Sequence, residues 1–307
     1  MFYGVCPSGG FAVIIVYTQE IFNAEGNAMN TVVGILTYLL LAPLLAGLLA
    51  GLGSLLSAQL QGEAPPHILQ PFHKLIGMYR KPWADTDYRQ KLLAVLYPAL
   101  IIISGSMLFA GGNMALSILL LLFAEFIKIY RLHRREEGVE PMALERSIAT
   151  SGNYACQLLL TIAGFYCFTA ALINRGSFLV VDLASTGTAP VLHMPAMLMG
   201  FIWLLLFGWE HSYLIEKENA KLHRRERALF VTGNWYRMVT LYAVLFLFNY
   251  GGTVLSTLMA VGICLLVWFL GLLLQEPHSR QPGPLRIAAV SAILLIASFI
   301  NLLILLP

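Results

Sequence analysis

The stretch LLLLFAEFIKIYRL sets a carboxylate, Glu125, inside an apolar run, with Lys128 three residues further on. At helical spacing the two share a face, so the lysine can neutralise the acid. An acid at the centre of a membrane helix costs on the order of 2.5 to 3.5 kcal/mol, so Glu125 needs a partner or a wet cavity. The pair reads either as part of a proton or sodium path (or an anchor for a cytoplasmic subunit), or as a structural ion pair near the inner membrane edge. Glu210 and His211, in LLLFGWEHSYLIEKE, form a second candidate. A carboxylate beside an imidazole can pass protons near neutral pH. Neighbours on a helix point about 100 degrees apart, however, and interfacial snorkelling explains the pair equally well. Asn153, Gln157 and Thr161 recur every four residues and make a polar stripe. Such a stripe lines a hydrated path or, more commonly, bonds one membrane helix to another.

Other chemistries find no support in the motifs. There is no Gly-rich phosphate loop, no G-x-S-x-G and no H-E-x-x-H. His193 and His211 stand roughly 27 Å apart along one helix and cannot share a haem. His67 and His73 lack metal-ligand spacing. Of the cysteines Cys6, Cys156, Cys167 and Cys264, three lie in apolar runs and none forms a C-x-x-C pair. Neither a disulfide framework nor a metal centre is expected, and the chain is not expected to catalyse a reaction alone. The basic runs RLHRREEG and KLHRRER need no nucleic acid to explain them, because they fall where membrane topology demands positive charge.

The elements that must carry these residues are membrane helices. The 307 residues are 58% hydrophobic and 11% charged, against roughly 25% charged in soluble domains. The expected fold is an all-α integral membrane protein. Apolar runs predict about eight transmembrane helices, near 31–55, 92–110, 114–130, 149–173, 192–213, 235–250, 253–274 and 286–306. All but Arg175 of the 19 lysines and arginines then fall on one side, Arg237 among them in the connection after the fifth span. Such basic loops are cytoplasmic, so both termini should face away from the cytoplasm. Gly111, Gly112 and Asn113 should close one tight hairpin and Gly251 and Gly252 another, while 174–191 reads as a surface cap. Residues 1–30 read as an N-terminal extension, with Met29 as an alternative start to Met1. Residues 31–307 form one polytopic domain, expected in the inner (cytoplasmic) membrane of the cell.

One segment within that domain is too short to span. ILQPFHKLIGMYRKP, residues 68–82, alternates Ile68, Leu69, Phe72, Leu75, Ile76 and Tyr79 with Gln70, His73, Lys74, Arg80 and Lys81 at helical spacing. It should lie along a membrane or protein surface.

With the preceding helix it makes a longer pattern. Ala42, Pro43, Leu44, Leu45 and Gly47 form A-P-L-L-x-G, followed by Leu69, Gln70, Pro71 and Lys81. This run of about 45 residues, with the eight-span layout, resembles the start of the complex I subunit 1 family. It looks closest to the branch in membrane-bound energy-converting hydrogenases and formate hydrogenlyase. The resemblance implies a non-catalytic subunit that docks a soluble redox module and couples electron transfer to proton or sodium movement. Its partners would be hydrogenase-like large and small subunits, which carry iron-sulfur clusters and a nickel-iron site, and antiporter-like membrane subunits. Docking would fall to Gln70, Pro71, Lys74, Arg80, Lys81, Arg134, Arg135, Arg224 and Arg225, beside membrane lipid. An ion path would use Glu125, Lys128, Glu210, His211, Asn153 and Gln157. The chain departs from the family at Lys74 (usually Asp), Gly77 (usually Lys) and Asn153 (usually Glu), and by a basic stretch, 210–233, in place of an acidic loop. A free-standing transporter for a small solute is the rival reading. It would require broken helices and inverted repeats.

Overall fold

The computed structural model describes residues 28–62, 64–83, 88–133, 141–208, 224–275 and 284–305. Among them it has ten α-helices and no strand. They are α1 Ala28–Gln61, α2 Gln70–Tyr79, α3 Tyr88–Phe109, α4 Met114–His133, α5 Pro141–Ile173, α6 Val180–Ser185, α7 Pro195–Gly208, α8 Arg224–Asn249, α9 Val254–Gln275 and α10 Pro284–Leu305. A 3-10 turn, Pro190–Leu192, precedes α7. The protein is therefore an all-α, membrane-embedded chain.

The expected glycine turns are present. Gly111 (φ 72°) carries the chain from α3 to α4, where the Asn113 side chain accepts from the Leu116 amide, 3.1 Å. Gly252 (φ 72°) does the same between α8 and α9, where Ser256 and Thr253 cap each other. Residues 174–191 close this end as foreseen. The Val180 amide donates to the Gly112 carbonyl, 3.2 Å, while Gly187 and Ala189 pack on Gly252 and Gly251. The start of α1 meets the end of α3 here, with Gly34 against the Phe109 carbonyl. Asn301 of α10 bonds the His193 carbonyl, 3.0 Å. The described ends of α1 and α10 thus share the glycine-turn end, and α2 lies towards the opposite, basic end.

Among the described residues five helices are long and apolar enough to cross a membrane: Thr31–Leu60, Tyr88–Phe109, Ser151–Ile173, Val254–Leu274 and Ala288–Leu305. The other three expected spans differ for separate reasons. α7 begins at Pro195, after the 3-10 turn, and its described part is only 14 residues long. α4 and α8 carry charge: Glu125, Lys128 and Arg131 on α4, and Arg224, Arg225, Glu226, Arg227 and Arg237 on α8. Helix α8 also starts eleven residues before its apolar run, and in that part Glu226 is buried and paired with Arg131 of α4.

That interior inverts the rule for soluble proteins. Helix α8 is among the least apolar of the long helices, yet it buries Tyr236, Met238, Thr240, Val244, Leu245 and Phe248. The strongly apolar spans of α9 and α10 are only 22% and 11% buried. A lipid solvent accepts apolar surface and rejects polar groups, so the polar helix takes the centre. Tyr38 of α1 joins α8 through Thr240, 2.9 Å, and Tyr236 donates back to the Leu39 carbonyl, 2.8 Å.

Candidate functional site

The buried charges of α4 and α8 meet in one network. Glu125, 6% exposed, accepts from Lys128, itself 2% exposed, and from the Ser151 hydroxyl of α5, 3.3 Å. Its second oxygen, Oε2, accepts from Arg237 Nη1 of α8 at 2.8 Å. The Arg237 guanidinium lies 4.9 Å from the centre of the Tyr154 ring, on α5. One turn and a half further along α4, Arg131 Nη2 donates to Glu226 Oε2 at 2.7 Å. Three cations and two carboxylates thus tie α4 to α8, with α5 as the third wall.

Depth decides how the network is read. Arg237 is twelve residues from the α8 end at Asn249, about 18 Å, and Glu125 is eleven from the start of α4, about 16 Å. Both therefore lie well inside their helices, three turns or more from those ends. Arg237, expected in the connection after the fifth span, lies inside helix α8. Its single charge in WYRMVT looked interfacial because its partner is 112 residues away in sequence.

Around the network the side chains are aromatic and polar. Tyr97 of α3 donates to Asn234 Oδ1, 2.7 Å, and stacks on Phe230 with ring centres 5.0 Å apart. The Tyr154 hydroxyl has no hydrogen-bond partner among the described residues. No family model matches the chain, and no curated protein matches it. What the site can do is therefore argued from its geometry. Paired carboxylates and cations at this depth suit proton or ion movement, and they equally suit a latch between helices.

The other predicted residues divide. Gln157 and Thr161 are buried, and Gln157 donates to the Met197 carbonyl of α7, 3.3 Å, and towards Ser298 of α10, 3.5 Å. Thr161 donates to its own helix, at the Gln157 carbonyl, 2.8 Å. This is helix-to-helix bonding, the commoner use of such a stripe. Asn153 is half-buried one turn away, on the same helix. We expect Gln157→Leu to cost only about 0.6 kcal/mol, the average for such bonds. Thermal unfolding in detergent checks this, and a loss of several kcal/mol would mean that Gln157 holds more than these two contacts. Glu210, His211, Arg134 and Arg135 lie outside the described residues.

Several of the residues expected to dock a partner lie on or beside α2. Phe72 meets Trp235 of α8 edge-on, ring centres 5.4 Å apart, and Tyr79 bonds Thr232, 2.8 Å. On the α1 side, Gly47 lies under the Phe72 ring and Gly51 against the Ile68 carbonyl. Gln70 and Pro71 are half-buried, while Lys74, Arg80 and Lys81 are exposed, as is Arg224. Arg225 stacks on Trp83, 5.1 Å from its centre.

Proposed function

We propose that this chain is the membrane-anchoring subunit of an energy-converting hydrogenase or complex I-like respiratory complex, with eight spans and both termini outside the cytoplasm. It docks a soluble redox module at its basic end and couples that module's electron transfer to proton or sodium translocation. The observation that carries the reading is how the resembling segment packs. Gly47 and Gly51 of α1 receive Phe72 and Ile68, so the A-P-L-L-x-G helix and the L-Q-P segment fit together as one unit. That seat leaves Lys74, Arg80 and Lys81 turned outward for a partner. The Glu125, Lys128 and Arg237 network supports the coupling half of the proposal, because charge this deep is rarely kept without a use.

Redox metals belong, in this reading, to the partners: iron-sulfur clusters to the small subunit and a nickel-iron site to the large one. The free-standing transporter draws on the same network. It is the weaker reading, since α1 and α3 run unbroken through Pro43 and Pro98. Purification of the tagged chain from its host membrane in mild detergent, followed by mass spectrometry, separates the two. Recovery of hydrogenase-like and antiporter-like subunits is expected. Recovery of the chain alone, or with copies of itself, would overturn the subunit reading.

A further inference from the structure

The chain folds two separate basic segments onto one place. The Tyr79 to Thr232 bond holds the end of α2 to α8, and Trp83 then lies against Arg225. Arg80 and Lys81, both exposed, sit between these two anchor points, and Arg224, exposed, and Arg227, half-buried, share the first turn of α8. Among the described residues of the two segments the one acid is Glu226, which is 1% exposed and bonded to Arg131. Among the described residues the patch therefore presents cations without an accessible anion.

Its depth and its apolar company define the occupant. Arg225 lies twenty-four residues from Asn249 along α8, about 36 Å, which is a few ångströms beyond a hydrocarbon layer roughly 30 Å thick. With Asn249 at one face of that layer, Arg225 reaches the level of the phosphates at the other. Close to these cations in the chain, Leu69 before α2 (54%), Ile76 on α2 (51%) and Tyr88 at the start of α3 (76%) are exposed. A soluble acidic protein would leave these groups in water, whereas a lipid leaflet takes the acyl chain against the apolar residues and the headgroup against the cations. Trp83 is an aromatic of the type that settles at this boundary.

We infer that Arg80, Lys81, Arg224 and Arg225 bind the phosphodiester headgroup of an anionic phospholipid in the leaflet at the basic end of the protein. The inference needs only a membrane-embedded chain, not the subunit reading. If both hold, these four leave the docking set, and Gln70, Pro71, Lys74, Arg134 and Arg135 remain to face the soluble module.

The test is lipid retention. The full chain is extracted in mild detergent, exchanged into nanodiscs of phosphatidylcholine mixed equally with phosphatidylglycerol, stripped by repeated detergent washing, and its bound lipid measured by native mass spectrometry. Wild type should keep phosphatidylglycerol in preference to phosphatidylcholine. The double variant Arg80→Gln with Lys81→Gln, both on exposed side chains, should keep several-fold less, and adding Arg225→Gln should bring the loss to about tenfold or more. Arg80→Lys with Arg225→Lys should behave like wild type. As a control at the same end, Arg89→Gln with Lys91→Gln should change little. Equal retention by wild type and the double variant, equal loss in the control, or no preference over phosphatidylcholine would each overturn the inference. Unchanged lipid with loss of a co-purifying soluble subunit would assign the patch to protein docking instead.

Discussion

Glutamine at position 125 is expected to destabilise the folded protein by about 3 to 5 kcal/mol, the cost of removing one partner from a buried ion pair. The Glu125 carboxylate is shared by Lys128, Ser151 and Arg237, so an amide there leaves two buried cations facing each other. Arg237→Gln should cost less, because Glu125 keeps Lys128 as its counter-charge. Glu125→Gln combined with Lys128→Met removes one anion and one cation together and should recover part of the loss. Thermal unfolding of wild type, Glu125→Gln, Lys128→Met and their double variant in one detergent gives the coupling energy as a double-mutant cycle, with Arg237→Gln measured beside them. If Glu125→Gln melts with wild type, the network does not hold α4 to α8. Its charge would then have to be explained by ion movement alone.

A second large effect is expected at Gly51. A β-carbon there would lie 2.0 Å from the Ile68 carbonyl oxygen, and a backbone atom cannot turn aside as a side chain can. Gly51→Leu should therefore lift the start of α2 off α1, at a cost no smaller than the 1 to 3 kcal/mol typical of overpacking. At Gly47 the clash is with the Phe72 ring, 2.2 Å away, and Phe72→Ala should relieve part of the damage done by Gly47→Leu. The check is maleimide labelling of a cysteine placed at Leu75, which packs beside Trp235 and Met238. Faster labelling in the Gly51→Leu background is expected, and an unchanged rate would mean that α2 is held by α8 alone.

Both predictions rest on pairs of residues far apart in sequence, and this marks the limit of what spacing reveals. The Glu125 and Lys128 pair was legible because the two residues are three apart on one helix. Arg237 was not, since one arginine beside Trp235 and Tyr236 has the composition of a membrane edge. The signal available was a lone cation only three residues into an apolar run, with no acid nearby to balance it. Gln157 was legible as a polar position, but whether it lines water or bonds α7 and α10 depended on where Met197 and Ser298 came to lie.

The sequence by itself determined the solvent of this protein and the order of its helices. Apolar runs of membrane length, glycines at the two tight turns and basic residues confined to alternate connections are all local features, and a bilayer reads them one segment at a time. Only the tertiary structure decided which helix takes the centre. Hydropathy alone ranks α8 among the poorer candidates for a membrane helix, yet its Arg237 and Glu226 are satisfied by Glu125 and Arg131 on α4, and that pairing draws it inside. The same long-range packing seats α2 on the glycines of α1 and brings Arg80 and Lys81 towards Arg225. The physical reason is that a polar group in lipid must find a partner, and the partner's place in the chain is set by packing rather than by proximity in sequence.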